Sequence, residues 1–140
     1  GIWTTQERSQ AVNEVIDQLS EYINEGDTIL VCDSMPMLHY LTRTVPYLGN
    51  PWPDLKVAEQ LSADLENTET TNATLPIAIR AKGNTRNNKW PENSAAFSPQ
   101  CIENRAVFRQ FFLRNDYEVV WQNNFFEILV PAGIVNDVKN

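Results

Sequence analysis

Histidine is nearly missing from this 140-residue chain, where His39 stands alone. The two cysteines, Cys32 and Cys101, lie far apart and form no CxxC pair. One imidazole and two scattered thiols do not make a zinc site, and no metal or cofactor is expected. Glycine is scarce too, at five residues, and neither GxGxxG nor GxxxxGK[ST] occurs. That removes the two common glycine-rich phosphate loops. The surroundings of Ser34, "CDSMP", lack the glycines of a G-x-S-x-G nucleophile elbow. No apolar run approaches the roughly 18 residues of a membrane span, and no signal peptide is visible. Basic residues are outnumbered, 11 against 18 acidic ones, for a net charge of −7. Such a chain repels nucleic acid, so no nucleic-acid partner is expected.

What is present suits one globular domain spanning residues 1–140, with 42% hydrophobic and 21% charged residues. Thr4 and Glu7 have capping-box spacing. Val12, Val15, Ile16, Leu19, Tyr22 and Ile23 then recur on one helical face, predicting a helix over about 5–25 that Gly26 stops. Residues 28–32 form an almost unbroken apolar run rich in branched side chains, the pattern of a strand buried on both faces of a parallel sheet. Cys32 ends that run and reads as a buried small hydrophobe, with a disulfide to Cys101 as the alternative. A short helix follows, with Met37, Leu38 and Leu41 toward the core.

"VPYLGNPWPD" reads as an extended loop. "LKVAEQLSADL" fits either a short strand or a helix, and "ENTETTNAT" reads as a polar connector. "LPIAIRAK" is a second strand, and residues 83–99 show no periodicity. A helix over about 100–115 would place Ile102, Ala106, Val107 and Phe111 on one side. "YEVVWQ" and "FFEILVP" flank Asn123-Asn124 as a hairpin, and residues 132–140 are a frayed tail. The expected fold class is α/β, a small three-layer Rossmann-like sandwich, mostly parallel, with a C-terminal antiparallel hairpin.

Two groups of residues invite chemistry. Asp33 and Ser34 end the first strand, where a parallel sheet opens its ligand crevice. The alternative is that Ser34 caps the next helix while Asp33 complements its dipole. His39 lies five residues beyond Ser34, with no orienting carboxylate nearby in sequence, and reads as structural. Asp17, Glu21 and Glu25 read as a solvated face. The second group is Arg80, Lys82, Arg86 and Lys89 with Trp90, a stretch without an acid until Glu92. It suits an anionic ligand with Trp90 over a sugar face or headgroup, or else a plain loop with Trp90 in the core. No catalytic residue is identified.

The segments "TTQERSQAVNEVIDQL", "GDTILVCDSMPMLHYLTRTVPYLGNPW" and "YEVVWQNNFFEILVP" together give the chain a family likeness. It resembles the soluble C-terminal domain of bacterial, Bacteroides-type polytopic membrane glycosyltransferase-like proteins, of the dolichyl-phosphate-mannose–protein mannosyltransferase-like class. The matching features are Ser34 followed by Tyr40, Leu41 and Thr42, and the hairpin from Tyr117 to Phe126. These residues build a fold and carry no chemistry. The resemblance implies a non-catalytic accessory domain on the extracytoplasmic (periplasmic) face of the inner membrane. Its partners would be the transmembrane region of its own full-length chain and a lipid-linked sugar or anionic lipid headgroups. The clustered cations on a long loop add the expectation that Arg86, Lys89 and Trp90 face the membrane surface or the membrane-embedded half of the full protein. Gly1 in place of methionine fits a segment of a longer chain. Two other readings stay open: a free-standing nucleotide binder or enzyme using Asp33, Ser34 and His39, and a protein-interaction module docking through residues 46–53.

The 28–32 run makes a direct prediction. Leu30→Asp would bury an unpaired charge and should cost on the order of several kcal/mol in a denaturation experiment. An unchanged melting temperature would contradict a two-faced buried strand.

Overall fold

The computed structural model describes residues 6–72, 74–86, 90 and 96–133. Helix α1 (Gln6–Leu19) leads into strand β1 (Thr28–Val31), and helix α2 (Met37–Thr42) connects it to the two-residue strand β2 (Val45–Pro46). A 3-10 turn at Pro53–Leu55 precedes helix α3 (Ala58–Thr71) and strand β3 (Ile77–Ala81). Helix α4 (Pro99–Arg114) and the hairpin β4 (Tyr117–Gln122) and β5 (Phe126–Pro131) complete the fold. The five strands form one mixed sheet in the order β2-β1-β3-β5-β4. β1 runs parallel to both β2 and β3, while β5 is antiparallel to β3 and to β4.

The apolar run at β1 works as its composition demands. Alternate side chains point to opposite faces, so each face needs its own cover. Ile29 and Val31 join one cluster, with Ala11, Val12, Val15 and Leu19 of α1. Leu30 and Cys32 join another, with Leu61 and Leu65 of α3 and Phe108, Phe111 and Phe112 of α4. The parallel register sets Ile29 beside Ile77 and Val31 beside Ile79. Cys32 is buried, and both cysteines are free thiols. At the outer edge, β4 shifts register between Val119 and Trp121. A bulge there twists an edge strand away from pairing with another chain.

Several sequence expectations need correction. α1 ends at Leu19, earlier than its apolar pattern suggested. Tyr22 and Ile23 still pack on the core, but from the turns that follow, and Gly26 takes φ +88° just before β1. Thr4 lies outside the described residues. α2 has Pro36 at its N-cap with no side-chain cap, so Ser34 does not cap it. Leu38 is buried as expected, but Met37 and Leu41 are exposed and Met35 supplies the other core contact. The stretch read as a polar connector is the second half of α3. Thr68, Thr70 and Thr71 turn their hydroxyls back to carbonyls one turn earlier, which satisfies polar side chains on the helix surface. In α4 the buried face is Asn104, Phe108, Phe111 and Phe112, while Ile102 and Ala106 are exposed. Ser98 caps that helix by accepting from the Cys101 N–H at 3.2 Å, with Pro99 in the first turn. The hairpin loop is closed by the Asn123 side chain, which accepts from the N–H groups of Phe125 and Phe126, both at 2.8 Å. Most of the expected frayed tail, 134–140, lies outside the described residues.

Candidate functional site

β1 ends at Val31, two residues before Asp33, and the last bond to β3 runs from the Cys32 N–H to the Ile79 carbonyl at 3.0 Å. The chain then turns away, which leaves the N–H of Ala81, at the end of β3, without its next backbone acceptor. The Asp33 carboxylate takes that place: Oδ2 accepts from the Ala81 N–H at 2.6 Å. Its other oxygen, Oδ1, accepts from Arg105 Nη1 at 3.2 Å, and Arg105 Nη2 donates to the Ala81 carbonyl at 3.1 Å. The Arg105 guanidinium lies 4.5 Å from the centre of the Phe97 ring. One carboxylate and one guanidinium thus bind both polar groups of the Ala81 peptide and tie β1, β3 and α4 together.

A second buried carboxylate lies beside this clip. Asp54 Oδ2 accepts from Arg86 Nε at 3.1 Å, and the Asp54 carbonyl accepts from Arg86 Nη2 at 2.5 Å. Asn104 Nδ2 donates to the carbonyls of Asp54 at 3.0 Å and Lys56 at 2.8 Å. Asp33, Ser34, Asp54, Arg86, Asn104 and Arg105 surround a void of only about 10 Å³. That is about the least space that admits a single water. The Asp54 Oδ1 and Asn104 Oδ1 atoms are buried without a hydrogen-bond partner among the described residues. A wider open cavity of about 510 Å³ lies elsewhere, where β1 and β3 begin, and is lined by Tyr22, Asp27, Thr28 and Tyr47 among others.

Burial governs the ionisation of Asp33 and Cys32. It raises the Asp33 pKa from 3.8 to about 6, because desolvation outweighs the Ala81 hydrogen bond and the Arg105 charge. Burial also pushes the Cys32 thiol well above its usual range, and the nearby Asp33 charge adds to this. A thiol held protonated in this way is a poor nucleophile.

The residues flagged in the sequence fall in separate places: Asp33, Ser34 and Arg86 around the small void, Arg80 and Lys82 in a cleft, and His39 and Trp90 apart from both. Asp33 and Ser34 line the small void, but Asp33 serves neither the α2 dipole nor an open crevice. His39 is buried and faces Thr44, with Nδ1 3.3 Å from the threonine hydroxyl, and desolvation lowers its pKa. Arg80 pairs with Glu127 at 2.7 Å and lies over the Phe112 ring, while Lys82 donates to Gln122 at 2.7 Å. Arg86 pairs with the buried Asp54 carboxylate at 3.1 Å and stays exposed to solvent. Trp90 is 4% exposed, and its ring meets Phe125 and Phe126 edge-on. The expectation that it covers a sugar or a headgroup gives way to the core reading. Gly83 permits that seat, because a Cβ there would stand 3.1 Å from Trp90 Nε1. Lys89 lies outside the described residues. Asp54, Asn104 and Arg105 were not marked by the sequence reading. The one available signal was Asn104, a polar residue one helical turn before Phe108.

No protein-family model, curated protein or solved structure matches this chain.

The Asp33 shift has a defined sign in stability. A carboxyl with a raised folded-state pKa binds its proton more tightly in the folded chain than in the unfolded one. Its contribution is therefore largest below the unfolded pKa of 3.8 and is lost as pH rises to about 6. The difference in unfolding free energy between wild type and Asp33→Asn should fall by about 3 kcal/mol across that window and level off above it. Chemical denaturation at a series of pH values measures this. A flat difference would show that Asp33 titrates as an ordinary carboxylate.

Proposed function

We propose that this chain is a non-catalytic accessory domain of a membrane-embedded glycosyltransferase-like protein, folded as a three-layer Rossmann-like sandwich. The observation that carries the reading is the closed crevice. In a doubly wound sheet, ligands bind beyond the carboxyl ends of the strands where the strand order reverses. Here that point is the β1–β3 boundary, and Asp33 and Arg105 fill it with bonds to Ala81. The residues best placed to meet a nucleotide are spent on holding the fold.

The layered description draws support from helix residues in both apolar clusters, α1 against one and α3 with α4 against the other. The membrane context draws support from the sequence resemblance. In this reading the domain sits on the extracytoplasmic face, tethered to the transmembrane region of its own chain and next to lipid-linked sugar or anionic headgroups.

A protein-interaction role is favoured by one further observation. Trp52, Leu55 and Val57, on the turn before α3, are 44%, 57% and 64% exposed. An accessory domain would use such a surface against its own membrane region.

Two measurements test the proposal. The open reading frame upstream of Gly1 should encode several hydrophobic spans in frame, and their absence would sink the membrane context. The melting temperature should stay unchanged under a saturating nucleotide-sugar, whose phosphates are esterified at both ends and offer no monoester group. Ligand held at about 100 times its Kd stabilises by roughly 2.7 kcal/mol, so a rise of several degrees would overturn the closed-crevice reading.

A further inference from the structure

On the α4 side of β3 and β5, a cleft of about 290 Å³ is lined by Arg80, Ala81, Lys82, Arg105, Arg109 and Glu127. Four cations face a single carboxylate, in a chain whose net charge is −7. Two of the guanidiniums are already fixed in place. Arg80 is held by Glu127 through Nε at 3.0 Å and Nη2 at 2.7 Å, with its charge 5.5 Å from the Phe112 ring centre. Arg105 is held by Asp33 and the Ala81 carbonyl, with its charge over Phe97. Arg109 is one helical turn beyond Arg105 on α4 and is exposed. Among the described residues nothing pairs with its guanidinium. Glu127 offsets Arg80 and Asp33 offsets Arg105, which leaves the charges of Lys82 and Arg109 without a paired carboxylate among the described residues.

We infer that this cleft is a binding site for a phosphate monoester group, on either a soluble metabolite or a lipid headgroup. The guanidinium fork matches phosphate oxygens two at a time, and a side chain already held in place loses little freedom on binding. A dianion also relieves the local excess of positive charge, which a neutral ligand does not. Arg80 and Arg105 supply the preset donors, and Arg109, with all five of its N–H groups unpaired among the described residues, supplies the new bonds. The inference rests on the cleft alone and does not depend on the accessory-domain reading.

The experiment uses the full 140-residue chain and two probes. Inorganic phosphate is titrated against isotope-labelled protein, with sodium chloride matched for ionic strength, and backbone amide shifts are followed. In parallel, phosphatidylcholine vesicles with and without phosphatidic acid are sedimented with the protein. Saturable shifts around Lys82, Arg105 and Arg109 are expected with phosphate and not with chloride. Arg109→Gln should weaken binding about tenfold, the loss expected for a charge-assisted hydrogen bond. Its melting temperature without phosphate should be unchanged, and Arg43→Gln, at an exposed position elsewhere, should bind like wild type. Saturable phosphate binding without sedimentation assigns a soluble phosphate ester. Sedimentation that requires phosphatidic acid and is lost in Arg109→Gln assigns a headgroup. The inference is overturned if neither probe binds saturably, or if Arg109→Gln binds as well as wild type.

Discussion

A parallel sheet must end somewhere, and where one strand stops short its neighbour is left with an unsatisfied N–H group. In this fold that group belongs to Ala81, and a buried side-chain carboxylate satisfies it. Most of the architecture around the C-terminal end of the sheet follows from that substitution. Asp33 replaces a backbone carbonyl with a group that carries charge, so a counter-charge must be close. Arg105 provides it from α4. Because Arg105 also binds the Ala81 carbonyl, α4 is registered against the strand ends as well as against the apolar face of the sheet. Removing one partner of such a pair leaves an uncompensated buried charge, a loss of roughly 3–5 kcal/mol. Replacing both with apolar groups would remove the charge but leave the Ala81 peptide unbonded.

The second carboxylate extends this logic to the surface loops. Asp54 follows a proline-rich stretch with little regular structure, and Asn104 and Arg86 fix it by bonding its backbone carbonyl. Segments read from sequence as loose connections are in this way anchored to α4. The same guanidinium-rich surroundings create the cationic cleft on the neighbouring surface. Neutralising Asp33 would therefore be felt there too, because Arg105 belongs to both.

The elements legible in the sequence were those whose signal is local. α1 showed its apolar face at helical spacing, β1 showed the unbroken run of a strand covered on both sides, and the hairpin showed two alternating runs around a turn. Elements settled by distant partners were misread. The threonine-rich half of α3 has weak helix propensity, and Leu61 and Leu65 hold the helix to the core from its first half. On α4, Val107 and Phe111 pack inward as expected, but Ile102 and Ala106 do not, because the buried side opens with Asn104, a polar residue bonded to carbonyls some fifty positions away. The ends of the Asp33–Ala81–Arg105 clip are 72 positions apart in sequence. Periodicity carries no information about such a contact, so Asp33 looked like a partner of the helix dipole or a ligand contact.

The central claim is that the Asp33 carboxylate, and not solvent or a ligand, bonds the Ala81 amide. Nuclear magnetic resonance of that single N–H tests it most directly. The account predicts an amide protected from hydrogen exchange as strongly as the core of β3. Its proton shift should titrate with a midpoint near pH 6, the value to which burial raises Asp33. An Ala81 amide that exchanges like an open loop, or whose shift is insensitive to pH through that range, would contradict it.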